Sequence, residues 1–362
     1  MTGPEHVRVG FLGAGLIAHY HALQLSRCAE SPEAVPHEVV AVYDSDPARA
    51  AGFAEGWGCE AVATSTDLVG ACDAVFVCTW TAAHLDGIRE AAMAGRAVFC
   101  EKPLSVDLTH ASEAVALVES TGVVNMTGLV LRSSPAMAVA REMIADPTAG
   151  RVMNVVFRDD QYLPTQGMYA STWRGDASLA GSGVLMEHSI HDVDLVEWLV
   201  GPIDSVSAHQ SSFHGIDGIE DNVSVVARFV GGATGVLATV WHDVMSRPSQ
   251  RRIEVVCESA MITIEGDTFG PVHCERSDGI ETVGADDLVE WMAARGIASE
   301  SAETTFLRAV RDPSGGRPRP DVRDALRAHV LVDAIYRSAQ ASGAPIGIPE
   351  AVGTLDGTAG GG

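Results

Sequence analysis

Residues Val7 to Asp44 constrain the fold more than any other stretch. A short apolar strand, Val7-Arg8-Val9-Gly10-Phe11-Leu12, runs into Gly13-Ala14-Gly15-Leu16-Ile17-Ala18. A helix-period segment follows, and a second strand, Glu38 to Tyr43, ends at Asp44. This is a βαβ unit with a GxGxxA turn where a dinucleotide site needs one. Gly13 permits the tight turn, Gly15 lets backbone amides approach a pyrophosphate, and Ala18 lets the helix pack closely on the sheet. The helix start adds partial positive charge. Asp44 is placed to accept hydrogen bonds from ribose hydroxyls and to repel a 2'-phosphate, which favours NAD. Arg49 leaves NADP open, and the stretch Cys28–His37, with two prolines, reads as an insertion lengthening the first crossover.

The alternation continues through a helix at Asp46–Trp57, strands at Ala61–Ala63 and Ala74–Cys78, a helix at Ala83–Ala94 and a strand at Ala97–Cys100. A helix at Ser105–Ser120 and a strand at Val123–Leu129 complete it. Such alternation predicts a parallel, doubly wound sheet. After Arg132-Ser133-Ser134-Pro135 the texture changes to one helix, Ala136–Ala145, and then β-like runs: Val152–Arg158, Val206–His209, Val223–Phe229, Thr234–Trp241, Arg252–Cys257 and Met261–Glu265. These predict a second, antiparallel or mixed sheet. Helices at Val184–Val200, Asp287–Ala294, Thr304–Val310 and Val322–Gln340 are expected on one of its faces. The chain therefore divides into a nucleotide-binding domain, residues 1–130, a second α/β domain, residues 131–350, and a disordered tail, 351–362.

Composition narrows the partners. Lys and Arg total 24 against 48 Asp and Glu, a formal charge of −24, so nucleic acid and anionic membrane are excluded as partners on electrostatic grounds. The longest apolar stretch, Val223 to Trp241, is interrupted by Arg228 and Gly231-Gly232, which makes it two paired strands rather than a membrane helix. Seven cysteines form no CxxC pair, and an odd count without a secretory leader points to a reducing cytoplasm.

Two clusters carry chemistry. Lys102, in Glu101-Lys102-Pro103, follows directly on a strand and so stands at the carboxyl edge of the sheet, where ligands of open α/β folds bind. An ammonium there stabilises charge developing on a substrate oxygen. The second cluster is Gly181-Ser182-Gly183-Val184-Leu185-Met186-Glu187-His188-Ser189-Ile190-His191-Asp192-Val193-Asp194. In a continuous helix, Glu187, His191 and Asp194 are spaced i, i+4, i+7 and share a face, so a carboxylate orients His191 as a general acid/base. Glu187, His188 and His191 read as a metal site are short of a fourth ligand, and no metal is expected. Arg132, Tyr162, Trp173 and Arg174 are candidates to hold a hydroxyl-rich substrate.

Taken together, GAGLIA, Asp44, the Cys78-Thr79 strand end with His84, Glu101-Lys102-Pro103, Arg132 with Pro135, Trp173-Arg174 and GSGVLMEHSIHDVDLVEWLVG resemble the Gfo/Idh/MocA family of oxidoreductases, from about Val7 to Pro349. The resemblance implies an N-terminal Rossmann domain and a C-terminal α/β domain with a large, mostly antiparallel sheet that often mediates dimers or tetramers. It implies oxidation of a secondary alcohol of a sugar, inositol or related polyol by NAD(P). Lys102 matches the family's lysine, His191 its catalytic histidine, and Glu187 stands where the family commonly has aspartate. Cofactor contacts are expected at Gly13, Gly15, Leu16, Ile17, Asp44, Thr79, His84, Glu101 and Lys102. Substrate contacts are expected at Arg132, Tyr162, Trp173, Arg174, His188 and Asp194. Ser189 and Trp80 depart from the family's glycine and proline. Two alternatives keep the cofactor: a glycoside-cleaving or lyase enzyme that oxidises its sugar only transiently, and a non-catalytic NAD-bound sensor.

Overall fold

A computed structural model describes residues 4–29, 34–247 and 249–349. The expected tail, 351–362, and residues 30–33 of the expected insertion lie outside the described residues.

The first sheet contains β1 (Val7–Leu12), β2 (His37–Tyr43), β3 (Glu60–Ala61), β4 (Ala74–Val77), β5 (Ala97–Cys100) and β6 (Asn125–Thr127). All pair in parallel in the order β3-β2-β1-β4-β5-β6, the doubly wound arrangement with its switch point between β1 and β4. Strand periodicity assigns alternate residues to opposite faces. Val7, Val9 and Phe11, Ala74 and Phe76, Ala97 and Phe99 enter one core; Leu12, Val75, Val77, Val98 and Cys100 enter the other. With both faces covered, the strands read as apolar runs.

The second sheet contains β7 (Val152–Tyr162), β8 (Ile203–Ser211), β9 (Asn222–Phe229), β10 (Thr234–His242), β11 (Gln250–Cys257), β12 (Met261–Ile264), β13 (Val272–Arg276), β14 (Gly279–Val283) and β15 (Ile346–Gly347). Its order is β14-β13-β12-β11-β7-β10-β9-β8-β15, antiparallel except for the β7–β10 pair. The apolar stretch through Trp241 is the antiparallel β9–β10 pair. Among the described residues no helix is long and apolar enough to cross a membrane. One face of the sheet is packed by helices Pro135–Ala145, Ile190–Val200 and part of Val322–Gln340.

The helix Ala302–Arg311, expected on a face of the second sheet, lies elsewhere. It packs on the first sheet, where Ala302, Phe306, Leu307 and Val310 join the β1, β4 and β5 core. Phe306 stands edge-on to Phe76 and Phe99, both at 5.5 Å between centroids, completing a stack of Phe11, Phe76 and Phe99 across three strands. The helix Val322–Gln340 spans both cores, with Val322, Ala325 and Leu326 in the first and Leu331, Val332 and Ile335 in the second. The C-terminal half of the chain thus returns to clasp the nucleotide domain.

Candidate active site

At the end of β1, Gly13 has φ +99°, and a Cβ there would stand 2.6 Å from the Cys78 carbonyl oxygen, so only glycine fits. Gly15 has open space where its Cβ would be. Intrahelical bonds begin with the amides of Ala18 and His19, both to the Gly15 oxygen. Helix geometry therefore leaves the Leu16 and Ile17 amides facing out of the N-terminus. Asp44 closes this loop: one carboxylate oxygen accepts from the Ala14 amide and the other from the Asp46 amide, each at 2.8 Å. Arg49, the residue that left NADP open, is turned to Asp46 at 3.6 Å. Thr79 Oγ1, beside Gly13, is buried without a hydrogen-bond partner. An open glycine cradle, outward amides and an orphan hydroxyl fit a dinucleotide.

Next to it, β5 ends in Glu101-Lys102-Pro103, with a cis Lys102–Pro103 peptide. Two expected cofactor residues prove to be internal supports of this turn. The buried His84 ring lies 2.8 Å from the Pro103 oxygen through Nδ1 and 3.1 Å from the Thr79 oxygen through Nε2, joining the ends of β4 and β5. Burial holds its pKa low. Glu101 is buried as well, its Oε1 2.9 Å from His21 Nε2 and its Oε2 accepting from the Lys102 amide. Lys102 reaches across to the second domain, where its Nζ donates to the Glu187 carbonyl oxygen at 2.5 Å. Burial lowers the Lys102 pKa, and the Glu187 charge opposes the shift.

The segment expected as one helix, 184–200, is broken at His188-Ser189 into Val184–Glu187 and Ile190–Val200. The amides of His188 and Ser189 both bond to the Val184 oxygen, a widened turn of the kind that collects at functional sites. Behind the break, the Ser189 hydroxyl contacts that of Thr239 in the core.

The break undoes the expected i, i+4, i+7 face. Glu187 does not orient His191: its Oε1 accepts from Thr81 Oγ1 at 2.5 Å, and its Oε2 lies 3.6 Å from Arg174 Nε. Burial raises its pKa against the pull of Lys102 and Arg174. Asp194 and Arg132, both expected at the substrate, bind one another. Arg132 donates to Asp194 through Nε at 2.8 Å and Nη2 at 2.5 Å, and to Asp324 at 3.1 Å, so its fork is committed to protein carboxylates.

His191 is partly exposed, with its Nδ1 buried and unpartnered. Burial, reinforced by Lys102, Arg251 and His188, holds its pKa well below the usual histidine range, so the imidazole is neutral at pH 7. His188 is likewise held down to about 3 by burial and Arg251. Its Nε2 is 2.7 Å from Asp159 Oδ2 and 3.2 Å from Arg251 Nη2.

Asp159, Asp192, Arg251 and Asp267 form a cluster that the motif reading missed. The buried Arg251 lies 2.7 Å from Asp192, 3.1 Å from Asp159 and 2.8 Å from Asp267. Burial beside Asp159 pushes Asp192 up to about 7. The one legible signal was the position of Asp192 directly after His191. Arg174 covers the Trp173 ring at 4.4 Å, and its Nε lies 3.6 Å from Glu187 Oε2. Tyr162, the last residue of β7, is buried with its ring 5.6 Å from that of Tyr169. Among the described residues, no three His, Cys, Asp or Glu side chains group as a metal site requires.

Residues 7–129 match the family model described as the oxidoreductase family with NAD-binding Rossmann fold, and residues 137–263 match the GFO/IDH/MocA C-terminal domain. The chain belongs to the GFO/IDH/MocA oxidoreductase family. Its relatives in that family include inositol 2-dehydrogenase of Rhizobium meliloti (strain 1021), 29% identical over 92% of this chain and 96% of the relative. Another is 1,5-anhydro-D-fructose reductase of Ensifer adhaerens, 33% identical over 65% of this chain and 68% of the relative. In fold the chain is similar to levoglucosan dehydrogenase in complex with NADH and levoglucosan, with a TM-score of 0.83, 22% identity and coverage of 96% and 100% of the two chains. Within the GFO/IDH/MocA frame, the Lys102 turn is joined to the segment bearing His191 by the Lys102–Glu187 bond, and to Thr79, beside the nucleotide loop, through His84.

Proposed function

We propose that the protein is an NAD(H)-dependent dehydrogenase of a sugar, inositol or related polyol, interconverting a secondary alcohol and its ketone. The observation that carries this reading is the bond between Lys102 Nζ and the Glu187 oxygen, which joins the lysine turn to the segment bearing His191. Gly13, Gly15, Leu16, Ile17, Asp44 and Thr79 would hold NAD, which when bound accepts or returns hydride at its nicotinamide. His191, neutral at pH 7, takes the proton from the substrate hydroxyl in oxidation and returns it in reduction. Lys102 donates a hydrogen bond to the same oxygen and stabilises its developing charge. Glu187 joins the buried Thr81 to Arg174, and Trp173, Arg174, Tyr162 and His188 face the polyol. Arg132 and Asp194 serve the scaffold.

The protein is read as a cytoplasmic homodimer or homotetramer. The second sheet leaves a row of valines on its uncovered face: Val156 and Val226 flank Val236 across three neighbouring strands and are 38% and 53% exposed, with Val236 at 42%. Such a row supports burial against another copy. Seven free cysteines fit a reducing compartment.

The testing experiment is a screen of inositols, sugars and anhydrosugars with NAD and NADP, following reduced nicotinamide and product together. The reading expects NADH to accumulate in step with ketone. Product formed without NADH would replace it with transient oxidation, and preference for NADP would overturn the role given to Asp44.

A further inference from the structure

His21 lies on the helix Leu16–Ala29, directly behind the nucleotide loop, and is fully buried. Its Nδ1 is 2.7 Å from Glu303 Oε1 and its Nε2 is 2.9 Å from Glu101 Oε1. Glu101 and Glu303 are themselves 6% and 2% exposed, so neither carboxylate answers to solvent. The three residues come from three separate parts of the chain: the cofactor helix, the Lys102 turn and the returning helix Ala302–Arg311.

A neutral imidazole has one N–H and cannot donate to two carboxylates at once; an imidazolium can. Burial acts against the charge, but the hydrogen bonds to Glu101 and Glu303 outweigh it and raise His21 to about 9. The other titratable groups facing this triad do not compete. Cys78 and Cys100, at the ends of β4 and β5, are pushed far up by burial and by Glu101. Tyr20 on the same helix is raised by burial and Glu303, and His84 is lowered by burial. Lys102, which faces Glu101, is the second cation, so two carboxylates are matched by two positive groups.

We propose that His21 is a positioning residue: as an imidazolium between Glu101 and Glu303 it fixes the Lys102 turn to the cofactor helix on one side and to the returning helix on the other. Glu101 transmits the hold, because its second oxygen accepts the Lys102 amide at 3.2 Å and its side chain fills the space above Gly128. When His21 loses its proton, one carboxylate loses its donor and the turn loosens. This rests on the reading of Lys102 as the group that meets the substrate oxygen.

The test is a nitrogen NMR titration of the full chain labelled at histidine, with His21→Gln to assign the signal. Both His21 ring nitrogens are expected to be protonated at pH 8 and to titrate near 9; a neutral His21 ring at pH 8 overturns the proposal. In Glu303→Gln, with one anion removed, His21 is expected to titrate lower by about one pH unit or more. The alkaline limb of polyol oxidation should move with it, while KM at pH 7 stays within about twofold, since Glu303 touches no ligand. A limb that stays in place while His21 shifts overturns the proposal. NADH binding, followed by fluorescence over the same range, gives the same readout if no polyol is turned over. Failure of the dehydrogenase reading and failure of the His21 proposal are thereby told apart.

Discussion

Lys102 and Glu187 meet through one atom of each, the ammonium nitrogen donating to the backbone oxygen at 2.5 Å. The acceptor is a main-chain oxygen, so the ammonium is held in place without a direct ion pair. Lys102→Met is expected to lower kcat by about 10²–10³, the loss typical of removing one preorganised donor at a developing oxyanion. NADH binding should change far less. The comparison of kcat with Kd for NADH checks this: equal losses in both would make Lys102 a cofactor anchor instead.

The Arg132–Asp194 pair is structural. Arg132→Leu strands a carboxylate that is only 3% exposed, and removal of one partner of such a pair costs about 3–5 kcal/mol. Urea unfolding is expected to show that loss, with KM for the polyol unchanged in the folded fraction. A raised KM at unchanged stability would return Arg132 to the substrate.

Stability should fall on the alkaline side. His21 is raised from 6.5 to about 9 in the folded chain, so its stabilising effect is complete below pH 6.5 and is lost as pH rises through 9. Asp192, raised by burial to about 7, acts in the same direction, its contribution being lost between about 3.8 and 7. Thermal unfolding at pH 6.5, 7.5 and 9 should show a falling Tm, and His21→Gln should flatten the fall above 7.5.

Glu220 explains the glycine-serine-glycine turn before the active-site segment. Its carboxylate accepts from Ser182 Oγ, the Gly183 and Leu185 amides and the Tyr336 hydroxyl, at 2.8–2.9 Å. A Cβ on Gly183 would lie 1.9 Å from the Glu220 carbonyl oxygen. Four donors require an acceptor-only partner, so Glu220→Gln turns an amide N–H toward a donor and is expected to cost about 1–3 kcal/mol. Loss of turnover should accompany it, and Glu220→Asp should restore part of both. Chemical denaturation and steady-state rates of the two variants check this.

Local pattern carried the first sheet, because both faces are covered and each strand reads as an apolar run between turn residues. The hairpin of β13 and β14 escaped notice, since it buries only Val272, Cys274 and Val283 among polar neighbours. The amphipathic helix Ala302–Arg311 declares an apolar face but not which sheet covers it; Phe306 decides that through contacts more than 200 residues away in sequence. The break at His188-Ser189 was hidden for a related reason. Glu187 and His191 suit a continuous helix by spacing, and the break coincides with the Ser189 contact to Thr239 in the core and with His188 lying against Asp159. The places of Lys102 and the glycine loop in the fold were legible because both stand at strand ends in short motifs. Thr81, Arg251 and the partners of His21 were not, because each gains its meaning from a residue distant in sequence.

The central claim is that His191, neutral and unassisted by Glu187 or Asp194, moves the hydroxyl proton while Lys102 holds the oxygen. The most direct measurement is the single-turnover rate of NADH formation from a polyol that the wild-type protein oxidises, compared in wild type and His191→Asn across pH 5–9. The expected result is a loss of about 10²–10⁴ in the variant, with NADH affinity retained and the Arg132–Asp194 scaffold intact by unfolding. Full-rate hydride transfer in His191→Asn would contradict the claim and move the proton chemistry to another group.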